Sequence, residues 1–238
     1  MMIKGQVQLV KTYAYSEDLY TQGIEQLTKN TILISVGRYS HSRVGVYQLD
    51  NESFQQAFCL SDQEFAEGLT IVGDSFWLLT FKEGLAYRYD KNTFSLLQTA
   101  TYEGEGWGLA YDHQHNCLWM TSGNAFLQKR DPNTFALLET IQVSIEGVPI
   151  SMLNELEYVD GYLYANIWQT NTIVKIQPQE GRVVTHYDLS DLLESQQLTP
   201  QHYPNINVLN GIAHLKDHTF LLSGKLYPKL LEVNLLDE

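Results

Sequence analysis

The sequence predicts an all-β fold, a five-bladed β-propeller, and three observations carry that prediction. One short strand motif recurs five times: GIEQL from Gly23, GLTIV from Gly68, GLAYD from Gly108, ELEYV from Glu155 and GIAHL from Gly211. The intervals between their first residues are 45, 40, 47 and 56, close to the roughly 40–50 residues of a propeller blade. Each motif leads through a short turn into a second apolar strand, the pattern of antiparallel neighbours. Lastly, the final repeat lacks an outer strand while the N-terminus carries a strand without a partner. Together these two can close a ring and hide its sheet edges.

In chain order, QVQLVKTYAY (residues 6–15) is that unpartnered strand. The first unit runs GIEQL, TILISVG, RVGVYQLD and FQQAFCL, and the second GLTIV, FWLLTFK, GLAYRYD and SLLQTATY. The third runs GLAYD, CLWMTSG, AFLQKRD and ALLETIQV, and the fourth ELEYV, YLYANIW, TIVKIQP and VVTHYDL. The fifth holds only GIAHL, TFLLSGK and KLLEVNL. Branched and aromatic residues dominate these runs, as suits a pleated, half-buried surface. Gly, Asp, Asn, Lys and His fill the turns between first and second strands. Residues 190–207 form the one long insertion and are expected as a loop over one face. Residues 1–238 are expected to form a single propeller domain.

With 44% hydrophobic and 18% charged residues the composition is that of a globular chain. Fifteen basic against twenty-eight acidic residues give a net charge of −13, which repels phosphate backbones and anionic membranes. No nucleic-acid or membrane partner is therefore expected, and a monomer is. No apolar run approaches the roughly 18 residues of a membrane span. Residues 1–15 alternate like a strand rather than a signal peptide. The location read from the sequence as written is cytoplasmic, or secreted or periplasmic if a leader was removed. Cys59 and Cys117 lie in separate strands and make no disulfide framework; both are expected as buried free thiols. The seven histidines show no metal-ligand spacing, and no metal or cofactor is called for.

In a propeller the first strand of each blade lines the channel, so the residues at its entrance converge on one mouth. The residues just before the five motifs are Gln22, Glu67, Trp107, Asn154 and Asn210. The ends of the second strands add Arg38, Phe81, Lys82, Trp168 and Lys225. One carboxylate, amides, a lysine and aromatic plates suit a pocket that holds a small amphipathic group and manages a proton. The tryptophans also read as plain core aromatics, and Asn154 and Asn210 as residues that bond strand ends. Glu67 is harder to set aside, because a carboxylate aimed into the mouth is costly unless paired or used. Glu105 and Glu157 are alternative acids for the same role.

The strings LYTQGIE, FAEGLTI, TFKEG, GEGWGL, LNELEYVDGYLYANIWQT, VLNGIA and GKLYPKLLEV resemble the plant and bacterial type of glutaminyl cyclase, or glutaminyl-peptide cyclotransferase. The resemblance covers residues 15–233. It implies a five-bladed propeller with a metal-independent site at the channel mouth, acting on peptides or proteins with N-terminal glutamine. Motif by motif, it implies functional positions at Gln22, Glu67, Trp107, Asn154, Trp168 and Lys225, with Phe65 as the aromatic two before the acid. Two positions depart: Tyr20 stands where the family usually has Phe, and Phe81 where it usually has Trp. Both keep an aromatic face, and Phe81 lacks an indole donor.

The implied reaction closes the substrate's α-amine onto its own side-chain amide, expelling ammonia and leaving pyroglutamate. On this reading Glu67 takes the proton from the attacking nitrogen and returns it to the leaving one. Lys225 and Asn154 are the candidate donors to the oxyanion, and Gln22 orients the substrate. Tyr20, Phe65, Phe81, Trp107 and Trp168 wall the pocket. Two other readings stand beside it: a non-catalytic peptide-binding propeller, and a metal-dependent lactonase, against which Lys225 counts because an ammonium repels a divalent ion.

Overall fold

The computed structural model describes residues 2–237. The repeat motifs all become inner strands, at Thr21–Thr28, Ala66–Val72, Leu109–Asp112, Leu153–Val159 and Leu209–Lys216. These strands pack side by side around a central channel, and Leu209–Lys216 lies against both Leu153–Val159 and Thr21–Thr28. Close approach there depends on glycine. A Cβ on Gly68 would lie 2.6 Å from the Trp107 carbonyl oxygen, and one on Gly108 would overlap the Asn154 carbonyl.

The predicted five-bladed count is corrected by the sheet order, which does not give five like blades. Four sheets are four-stranded blades, and the strands from Leu153 to Asp188 belong instead to a seven-stranded sheet. A hairpin of Ser144–Ile145 and Val148–Pro149 joins the outer strand Arg182–Asp188 through Ser144, and Ile3–Lys4 pairs with the same strand in parallel. Two-residue strands carry no periodicity, so neither addition shows in a repeat search. The strand Gln6–Ala14 pairs antiparallel with Lys229–Leu236 and is the outermost strand of its sheet.

The core lies between the sheets, where the second strands are buried on both faces. Ile32, Leu33, Phe76, Trp77, Leu118 and Trp119 are all at most 1% exposed. Trp77 packs 4.9 Å from Phe135 and donates its indole N–H to the Pro132 carbonyl at 2.9 Å. The insertion expected as a loop contains a helix, Ser190–Ser195, with Leu193 buried and Asp188 accepting the Ser190 N–H. Leu193 and Leu198 pack into the apolar cluster around Phe220 and Tyr227, and this contact fixes a turn of helix that six residues could not sustain alone. Both cysteines are free. Cys117 is buried, but Cys59 is exposed because it ends an outer strand.

Candidate active site

The pocket is built by irregularities in the inner strands. Pairing between first and second strands skips at Thr21/Gly23, Ala66/Leu69, Leu153/Leu156 and Leu209/Ile212. The skipped residues include Gln22, Glu67, Asn154 and Asn210. Such a bulge kinks the strand and re-aims a side chain that regular alternation would place elsewhere. The second wall comes from strand ends held by backbone bonds: Phe81 N–H to the Phe65 carbonyl at 2.9 Å, Trp168 N–H to Met152 at 2.8 Å and Trp107 N–H to Thr121 at 3.1 Å. An isolated bridge between Tyr20 and Lys225 fixes the remaining edge.

These elements enclose a cavity of about 250 Å³ lined by Tyr20, Gln22, Phe65, Glu67, Phe81, Trp107, Asn154, Trp168 and Lys225. All nine residues singled out in the sequence are therefore brought together. Phe65 is the centre of one aromatic wall, 6.4 Å from the Tyr20 ring and 5.7 Å from Phe81. Trp107 and Trp168 meet edge to face at 5.5 Å and form the other.

Glu67 is 5% exposed, and its Oε1 accepts the Gln22 side-chain N–H at 3.2 Å. Burial pushes its carboxyl well above the ordinary carboxylate range; Lys225 pulls it back, while Glu105 and Glu83 add to the rise. Lys225 is 6% exposed, and burial lowers its ammonium pKa against the opposing pull of Glu67. Its Nζ lies 5.0 Å from the Tyr20 ring centroid. An acid that burial pushes up and a lysine that burial pushes down thus line one small cavity, an arrangement suited to proton transfer.

The other residues named at the mouth lie outside the cavity. Asn210 sits behind it, with its side-chain N–H group near the Thr21 and Gln22 carbonyls and Gln22 Oε1, at 3.1–3.3 Å. It holds the Gln22 amide in the orientation that donates to Glu67, a role legible only once the fold is known. Arg38 covers the Tyr20 ring from outside at 4.7 Å. Lys82 is exposed and pairs with Glu105 at 3.8 Å.

The alternative acids have other partners. Glu157 accepts the His214 backbone N–H at 3.2 Å, Glu155 those of Ile24 and Ile212, and Glu25 that of Ile71. These acids tie inner strands together along the channel. Glu105 accepts the Trp107 indole N–H at 3.0 Å. Among the described residues no group of three or more His, Cys, Asp or Glu is placed to hold a metal ion. What sequence reasoning missed is the set of bulges, and the signal was present: a glycine directly follows Gln22, Glu67 and Asn210, and Gly inside a strand often marks a bulge.

The profile of the glutamine cyclotransferase family matches residues 2–235. A glutaminyl-peptide cyclotransferase of Arabidopsis thaliana is 30% identical over 233 residues, spanning 97% of this chain and 72% of that protein. The crystal structure of Myxococcus xanthus glutaminyl cyclase superimposes with a TM-score of 0.85 at 32% identity, covering 100% of both chains. A Bacteroides thetaiotaomicron protein of unknown function shares the fold alone, with a TM-score of 0.61 at 11% identity over 98% of this chain and 76% of its own.

Proposed function

The chain belongs to the glutamine cyclotransferase family and its activity is that of a glutaminyl cyclase; from that premise we propose that Glu67 is the acid–base residue of pyroglutamate formation. The substrates are peptides or proteins with N-terminal glutamine. The observation that carries the proposal is that Glu67 is the sole carboxylate among the residues lining the cavity, buried with Lys225 and held by Gln22.

The substrate's first residue enters with its side chain between Phe65 and the two tryptophans. Its α-amine has a reference pKa of about 7.7–8.0, so much of it arrives protonated near neutrality. The neutral fraction of the amine is the attacking form, and the Glu67 carboxylate accepts one proton from that nitrogen as its lone pair adds to the side-chain carbonyl carbon. The new C–N bond leaves a tetrahedral oxyanion, which Lys225 and Asn154 stabilise as donors. Glu67 then returns the proton to the amide nitrogen, the old C–N bond breaks and ammonia departs. The aromatic walls fold the flexible side chain so that amine and carbonyl meet, and an intramolecular attack gains most from such positioning.

This chemistry asks for no metal. The donor set supports that reading, since one carboxylate beside an ammonium and two amides is a poor nest for a hard cation, which takes several oxygen ligands. The lactonase alternative is disfavoured on the same ground. The direct test is ammonia release from a glutaminyl dipeptide, with pyroglutamate detected in equal amount and the glutamyl dipeptide as control. Binding of the glutaminyl dipeptide without ammonia release would favour a non-catalytic peptide-binding propeller.

A further inference from the structure

Trp107 is held more tightly than a wall residue needs to be. Its indole N–H donates to Glu105 Oε2 at 3.0 Å, its edge meets Trp168 at 5.5 Å, and its six-membered ring lies against Gly123, where a Cβ would come within 2.5 Å of Cζ2. The backbone on either side is fixed too: Trp107 N–H bonds the Thr121 carbonyl at 3.1 Å, and the Trp107 carbonyl accepts the Gly68 N–H at 2.7 Å, directly after Glu67. Of these holds, the Glu105 bond alone engages the polar atom of the indole. It consumes the one hydrogen-bond donor that this side chain has.

We infer that Glu105 is a positioning residue of the site: its carboxylate clamps the Trp107 indole so that the ring face, and not a free N–H, meets the substrate's side chain. The inference rests on the cyclase reading above. A charged acceptor makes a stronger bond to an N–H than a neutral one does, and the Lys82 ammonium lies 3.8 Å from the other carboxylate oxygen, Glu105 Oε1. The consequence for recognition is specific. A free indole N–H would offer a second donor to the glutamine amide oxygen and stabilise non-reactive poses of the folded side chain. With the indole donor occupied, Lys225 and Asn154, the donors placed for the oxyanion, meet that oxygen without competition from Trp107.

The test compares E105A with E105Q, assayed by ammonia release from a glutaminyl dipeptide, with the melting temperature of each variant as a control on folding. E105A frees the indole, whereas E105Q removes the charge but keeps a carbonyl oxygen able to accept the N–H. The expected result is a loss in kcat/KM on the order of tenfold for E105A, borne mainly by kcat because the substrate still binds but in unproductive poses. This is smaller than the about 100-fold that a 1 Å misplacement can cost. E105Q should restore most of kcat. Equal losses in both variants would mean that the charge, not the clamp, matters and would overturn the inference; so would normal kinetics in both. Should E105A fail to fold, the wild-type protein supplies the second measurement. The Trp107 indole N–H, assigned by its absence in W107F, should exchange slowly with solvent, and exchange at the rate of a free indole overturns the clamp. Absence of ammonia release from the wild-type protein would instead overturn the cyclase reading.

Discussion

Replacing Glu67 by Gln alters charge with almost no change in shape, and so isolates its role in proton transfer. The Gln22 N–H that now meets Glu67 Oε1 at 3.2 Å would find the carbonyl oxygen of the new amide in the same place. A general acid–base group contributes about 10²–10⁴-fold, or about 2.7–5.4 kcal/mol of barrier at 1.36 kcal/mol per tenfold, and kcat should fall within that span. Stability should move the other way. Because burial holds the native carboxyl above its ordinary value of 4.5, the folded state keeps a proton that the unfolded chain releases. Wild-type stability therefore falls as pH rises from about 4.5 toward the native pKa, by at most about 1.4 kcal/mol per pH unit. E67Q has no proton to lose, so its advantage in stability should widen with pH over that window. Ammonia release under saturating glutaminyl dipeptide gives kcat, and urea denaturation at several pH values gives the stability difference. A folded E67Q with turnover within tenfold of wild type would refute the assignment.

Lys225→Met should lower kcat by about 10²–10³-fold as an oxyanion donor is lost. It should also shift the acid limb of the kcat/KM profile to higher pH, since Lys225 lowers the Glu67 pKa; an unmoved limb would dissociate the two residues. Gly123→Ala places a methyl 2.5 Å from the Trp107 ring at a backbone φ of +71°. It should cost about 1–3 kcal/mol of stability, as overpacking does, and raise KM by displacing the indole. An unchanged melting temperature and KM would show the ring free to move. Activity should survive prolonged dialysis against a chelator, and loss restored by one added cation would return the lactonase-like reading.

Four of the nine pocket residues, Gln22, Glu67, Trp107 and Asn154, were legible because they sit at one offset in a repeated strand motif; Phe81, Trp168 and Lys225 were legible at the ends of second strands, and Tyr20 and Phe65 through the family motifs. Strand existence was legible for a similar reason. Alternation of apolar and polar residues is a local signal, set by the pleat. Chain-distant pairing was not legible: the hairpin at residues 144–149 and the strand Ile3–Lys4 are stabilised by an edge offered from elsewhere in the chain. The seven-stranded sheet therefore replaced a predicted blade. The exposure of Cys59 and the helix within the 190–207 insertion were likewise decided by what packs against them.

By itself, then, the sequence determined the β character, the repeat and the identity of the pocket residues, since each follows from local pattern or motif. Tertiary structure alone decided which polar residues face substrate and which support those that do. Asn210 stands in the same register as Glu67 yet bonds Gln22 from behind. Glu105 lies two residues from Trp107 yet serves by capping its indole. Sequence spacing cannot separate these roles, because the bulge at Asn210 and the loop that carries Glu105 before Leu109 set where each side chain points.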